Sequence, residues 1–397
     1  MKTIIVTLAA LGAAALGLPA PAAEPHRIPT RTELDSEIRR AMDATGSKGM
    51  AVAIIDRGRV VHVTAQGVRN AAGDPLRTDT VMYGASLTKA VFGYLVMQLV
   101  EEGKLDLDTP ISAYLDKPLP EYVGQDVEDL YARWSDLAGD ERWRKLTPRI
   151  LLTHSAGFAN FGFAEPDGKL KFNFEPGSRY SYSGDGLILL QFVIERGLGL
   201  DLEAEADRRI FLRFGMTRSS LEWSADFAGN LADGFDDQGK VQPHDERSAP
   251  RAAGSLDTTI EDMAKLVAGY VRGDGLSPAG RRELTRPQLP ITTRSQFPVL
   301  QPDLPVAERW PNLAAGLAVI TFQGPQGAAF FKGGGNPITA NTWVCVEKRR
   351  RCVVILSNDA RSRAAFPRLV RFAIGETGAP WQWEYPDVAF WEPAASK

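Results

Sequence analysis

The sequence predicts an α+β fold: an antiparallel sheet drawn from both chain ends and flanked by helices, with a mainly helical region inserted between the two contributions. Three observations predict it. Residues 51–56 and 60–65 are two β-rich runs around Arg57-Gly58, the pattern of a hairpin. Residues 327–331, 341–347 and 352–357 read as three more strands near the other end. Between these groups the pattern is mostly helical. The reading therefore divides the chain into 23–85 plus 314–397 as the sheet domain and 86–313 as the helical region.

Composition sets the outer limits. The chain has 397 residues, 44% of them hydrophobic and 24% charged, which is ordinary for a globular protein and excludes disorder and collagen. Its 46 basic and 49 acidic residues nearly cancel, so neither nucleic acid nor an anionic membrane surface is an expected partner. Two cysteines can neither staple a small fold nor supply a Cys₄ zinc site.

The elements follow in order. Lys2 precedes an uncharged, Ala- and Leu-rich run over 4–18, and Ala20 and Ala22 supply small residues for a cleavage site. Residues 1–22 read as a secretory signal peptide, too short for a membrane span; an uncleaved anchor is the alternative. Export to the periplasm or the medium is expected, with no membrane span after cleavage. The hairpin comes next. Helices are expected over 87–102, 147–153, 185–196 and 259–272, and another over 362–374 after the last strand. A two-residue turn at Lys348-Arg349 would set Cys345 opposite Cys352. Export would allow a disulfide there, and two small apolar neighbours is the alternative.

The chemistry starts at Ser86-Leu87-Thr88-Lys89. Residues three apart share a helix face, so Ser86 and Lys89 would lie side by side on a first turn. A serine hydroxyl needs a base to become nucleophilic, and a desolvated lysine can be one. The helix start adds a free N–H for a developing oxyanion. Alone the spacing is weak, since a cap serine followed by a surface lysine matches it equally well.

The surroundings make it specific. "EEGKLDLDTP" at 101–110, "LLTHSAGF" at 151–158 and "AAGSLDTTIEDMAKL" at 252–266 resemble the serine β-lactamase and D-peptidase superfamily, in its class C-like branch with esterases and D-aminopeptidases. The resemblance covers about 50–358. It implies the class C β-lactamase/DD-peptidase-like fold, an acyl-enzyme on Ser86 and Lys89 as its base. Tyr182 takes the tyrosine of the second motif, relaying protons and activating the hydrolytic water. An adjacent ammonium would favour its ionised form. Gly184 stands where the family has asparagine. Lys332-Gly333-Gly334-Gly335 matches the third motif, with Lys332, Gly333 and Gly334 toward substrate. The N–H groups of Ser86 and Gly335 then form the oxyanion hole.

Phe158, Asn160, Phe161 and Phe163 are expected to line the pocket. Tyr180 is read as a packing residue and His154 as structural, since no G-x-S-x-G elbow exists. His244-Asp245-Glu246 reads as a solvated loop rather than a metal site. Neither a metal nor a cofactor is expected.

The expected function is an exported, esterase-like serine hydrolase. Its substrate would be a small-molecule ester, amide or β-lactam. The alternatives are a β-lactamase or D,D- or D-peptidase, and, from another class, a catalytically weak penicillin-recognising sensor. Glycine at 184 offers no amide to a β-lactam side chain, so esters are expected to be favoured and Gly184→Asn to raise β-lactam turnover. Lys332 argues the other way, because a cation there can hold a β-lactam carboxylate.

Overall fold

In the computed structural model, which describes residues 26–392, β1 (Gly49–Asp56) and β2 (Arg59–Gly67) form the expected hairpin. Arg57 and Gly58 both take positive φ, 54° and 72°, the pair of left-handed residues a two-residue hairpin turn uses. The signal segment expected over 1–22 lies outside the described residues. A helix that the sequence reading did not single out, Arg31–Thr45, precedes the hairpin. Its start carries a reciprocal signal. Thr30 Oγ1 accepts from Glu33 N, and the Glu33 carboxylate accepts from Thr30 N.

Ten further strands follow: β3 (Met82–Ala85), β4 (Gly234–Phe235), β5 (Val241–Gln242), β6 (Leu256–Thr258), β7 (Leu289–Pro290), β8 (Ala314–Ala315), β9 (Ile320–Gly324), β10 (Gly327–Asn336), β11 (Thr339–Val346) and β12 (Arg351–Ser357). Eight of the twelve make one antiparallel sheet in the order β2-β1-β12-β11-β10-β9-β8-β7. The chain ends meet inside it, with Met50 opposite Ser357 and Ile55 opposite Cys352. The sheet continues past the predicted strands into β9, β8 and β7. Two to five residues are too few for alternation to mark them.

Both faces of the sheet are covered. Met50, Val52 and Ile54 of β1 join one core with Leu34, Ile38 and Leu369, under the helices Arg31–Thr45 and Phe366–Ile374. Ala51, Ala53 and Ile55 point the other way, into the core built on the helices Leu87–Glu101 and Ile260–Arg272. Each fully buried Val or Ile contributes roughly 1.5–3 kcal/mol, which is why these strands read as unbroken apolar runs. The helix Leu87–Glu101 is buried from Leu87 to Leu99. It runs between sheet and helical region, and its first turn opens into the cleft between them.

Two local expectations are corrected. The β11–β12 connection is a 3₁₀ turn, Glu347–Arg349, closed by Arg350 at φ 48°, rather than a two-residue turn. Its register still sets Cys345 opposite Cys352, and the two are disulfide-bonded. The helix expected over 185–196 ends as Gly184–Phe192 and passes into one π turn, Val193–Gly197. Among the described residues no helix is long and apolar enough to cross a membrane.

Candidate active site

Ser86 is delivered by β3. That strand pairs with β6, and Asn341 Nδ2 of β11 donates to Tyr83 O at 2.9 Å. The chain then turns through Ala85, whose φ of 49° is unusual for a residue with a Cβ. Thr88 holds this turn. Its Oγ1 donates to Ala85 O at 2.6 Å and accepts from Leu256 N at 3.0 Å. The helix Leu87–Glu101 starts immediately afterwards, so the Ser86 hydroxyl faces the cleft above the helix N-terminus.

Two predicted residues meet at that hydroxyl. Lys89 Nζ donates to Ser86 Oγ at 3.2 Å and Tyr182 OH donates to it at 2.8 Å. Lys89 Nζ also donates to Ala253 O and lies 4.8 Å from the centre of the Tyr182 ring. Burial, and then the nearby Lys332, hold the Lys89 pKa well below the ordinary lysine value. Burial therefore favours the neutral amine, the form that can take a proton. Burial pushes Tyr182 the other way, above the usual tyrosine value, against the weaker pull of its bond to Ser86. This corrects the expected ionised phenol. Burial favours the protonated phenol.

His154 stacks on the Tyr182 ring, 4.6 Å between centroids, and its Nδ1 accepts from Ser183 N at 3.2 Å. Burial and then Lys89 and Lys332 lower its pKa, so it packs as a neutral imidazole behind the tyrosine. Tyr180 points into the second core, its OH donating to Gln296 Oε1 at 2.9 Å.

The third motif lies on β10, which runs on through its glycines to Asn336. Lys332 is buried, donates to Gly333 O at 2.6 Å and lies 5.3 Å from the centre of the Tyr182 ring. A Cβ at Gly334 would sit 3.1 Å from Ser86 N and 2.8 Å from Gly84 O, so only glycine lets β10 come this close to the helix start. Gly335 is exposed on the cleft wall.

The cleft encloses about 1370 Å³ and is lined by Ser86, Lys89, Tyr182, Lys332, Gly333, Gly334 and Gly335 together with Asn160 and Phe161. Phe158 is a correction. It is wholly buried, 4.8 Å from the Phe172 ring, and belongs to the core. Phe163 is 79% exposed and stacks on Phe161 at 5.2 Å, forming an aromatic lip.

Gly184 leaves no empty place for a side chain. A Cβ there would collide with the Phe161 ring, and Gly184 N donates to Asn160 Oδ1 at 2.9 Å. The neighbouring Asp185 lines the cleft as a buried side chain. Its Oδ2 accepts from Gly162 N at 2.6 Å, pinning the 160–163 segment, while burial pushes its pKa up to about 6. The expected gain from Gly184→Asn is therefore revised. The variant is expected to lose about 1–3 kcal/mol of stability by overpacking, read as a lower thermal midpoint, before any new contact to substrate is made. A midpoint equal to wild type would contradict this.

His244 is a further correction. Its side chain is buried, with Nε2 3.0 Å from Asp257 Oδ1 though not aligned for a hydrogen bond, so it is not solvated. Sequence reasoning also missed Glu384, whose buried side chain reaches the cleft wall from the helix Trp381–Glu384. No motif marks it.

A family model described as Beta-lactamase matches residues 34–374. The chain belongs to the beta-lactamase family. Within this family it is 29% identical over 178 residues to Esterase EstB of Burkholderia gladioli, covering 42% of this chain and 45% of that protein. It is 28% identical over 213 residues to the Lovastatin esterase of Penicillium rubens, covering 47% and 52%. Against four curated relatives the matched length is 45% to 66% of theirs, less than two thirds of each. The fold matches the crystal structure of D-alanine carboxypeptidase AmpC from Burkholderia cenocepacia at a TM-score of 0.65 and 18% identity, over 87% of this chain and 98% of that one. This beta-lactamase-family chain therefore shares the fold of that D-alanine carboxypeptidase, and its curated relatives include proteins named as esterases.

Proposed function

We propose that the protein is an exported serine hydrolase that cleaves neutral carboxylic esters through an acyl-enzyme on Ser86. The observation that carries the reading is the convergence of the Lys89 amine and the Tyr182 phenol on one hydroxyl at a helix start. Ser86 Oγ attacks the acyl carbon while Lys89 Nζ takes its proton. The negative charge moves to the carbonyl oxygen, which the N–H groups of Ser86 and Gly335 receive. As the C–O bond to the leaving group breaks, the Tyr182 hydroxyl passes its proton to the departing alkoxide and is reprotonated from Lys89. Water then attacks the acyl carbon by the reverse relay and frees Ser86.

Two features favour esters over β-lactams. The position where an asparagine amide would meet a β-lactam side chain is taken up by Phe161 packed on Gly184. Two relatives carry esterase names. Export is supported by the basic, uncharged and small-residue pattern of the first 22 residues. The Cys345–Cys352 disulfide supports it too, since such bonds persist in oxidising compartments. Lys332 in the cleft favours the second reading, a β-lactamase or D-peptidase.

A substrate panel separates them. p-Nitrophenyl acetate and butyrate are expected to turn over, with nitrocefin hydrolysed at least about tenfold more slowly. That margin is the worth of one missing hydrogen-bond partner, roughly 1–3 kcal/mol. Nitrocefin turnover faster than either ester would replace this reading with the second.

A further inference from the structure

Glu384 lines one wall of the cleft with a carboxylate that no described residue hydrogen-bonds. The side chain is 7% exposed, no described residue donates a hydrogen bond to it, and its Oε2 is fully buried without a partner. It is held rigidly. The neighbouring Trp383 is wholly buried among Tyr180 and Phe331, and Glu384 N donates to Pro380 O at 3.0 Å. Gly333 makes its position on β10 available, because a Cβ at 333 would collide with Glu384 Oε1. The carboxylate therefore lies against the strand beside Lys332, the cation that would otherwise receive a substrate carboxylate. Burial pushes the Glu384 pKa up to about 7 against the pull of Lys332, and the two close no direct ion pair.

We propose that Glu384 is a specificity-determining residue: it occupies the anion subsite beside Lys332, so the cleft rejects substrates bearing a carboxylate there and takes esters that are uncharged at that position. The assignment rests on the ester-hydrolase reading above. Above pH about 7, where the Glu384 carboxyl is ionised, a second carboxylate brought beside Lys332 would be repelled by it in a partly desolvated site. Like-charge repulsion of that kind amounts to about 10- to 100-fold in rate. The same repulsion would weigh against β-lactams, which carry a carboxylate next to the bond to be cut.

The test uses two aryl acetates of nearly the same shape, the anionic 3-acetoxybenzoate and the neutral 3-acetoxybenzamide. For wild type, the charged-to-neutral ratio of kcat/KM is expected to be at least about tenfold below the ratio of the two uncatalysed hydrolysis rates. E384Q, which keeps the shape, and E384A are each expected to raise the enzymatic ratio about 10- to 100-fold. K332M added to E384Q is expected to remove that gain. Turnover of the neutral ester with a ratio unchanged within twofold in E384Q and E384A would overturn the role of Glu384 alone. If E384Q and E384A do not fold, the wild-type ratio decides: equality with the uncatalysed ratio overturns the assignment. Failure of wild type to turn over the neutral ester at all would overturn the ester-hydrolase reading, and this proposal with it.

Discussion

Ser86→Ala is expected to lose at least about 10³-fold in kcat for p-nitrophenyl butyrate, together with all labelling by a fluorescent fluorophosphonate. The loss is large because the hydroxyl is the point on which the other groups converge. Without Oγ, Lys89 has no proton to accept and Tyr182 OH loses its hydrogen-bond acceptor. The turn that presents the residue does not depend on the side chain. It is held by Thr88 Oγ1 on Ala85 O and by Asn341 on Tyr83 O. The variant should therefore fold, with a thermal midpoint within roughly 4 °C of wild type. Retention of more than a tenth of the activity in a folded Ser86→Ala protein would remove Ser86 from the mechanism.

Lys89→Met is expected to cost a similar factor, about 10³-fold, for a different reason. Methionine fills nearly the same space but carries no lone pair able to take the serine proton. The substitution leaves Ala253 O without its donor, at about 1–3 kcal/mol, partly offset by no longer burying an amine. The pH profile gives an independent reading. Burial lowers the Lys89 pKa well below the ordinary lysine value, so kcat/KM should hold down to that lowered value and fall as pH drops through it. An acid limb at the ordinary lysine pKa of about 10.5 would show that the amine is not held neutral.

The parts of this account that were legible in the sequence are the local ones. Ser86 and Lys89 share one helical turn, and the Arg57-Gly58 hairpin follows from residue type. The Cys345 and Cys352 register survived a misjudged turn because both turn lengths keep the same strand pairing. Arg31–Thr45 also carries a local signal, the capping pair Thr30 and Glu33 at its start. What the sequence did not show is set by the surroundings. Phe158 and Phe161 look alike in one aromatic loop, yet one packs on Phe172 and the other faces the cleft. The protonation of Tyr182 depends on how deeply the fold buries it, which raises its pKa against the pull of its bond to Ser86. Glu384 reaches the cleft from a four-residue helix far along the chain, through a gap that exists only because residue 333 is glycine.

The central claim is that one serine carries the acyl group. Wild-type protein quenched in acid during steady-state turnover of p-nitrophenyl butyrate, then digested and mapped by mass spectrometry, tests it directly. The account predicts a butyryl adduct on the peptide containing Ser86, and on that residue after fragmentation. An adduct on Ser155 or Ser183 instead would contradict it.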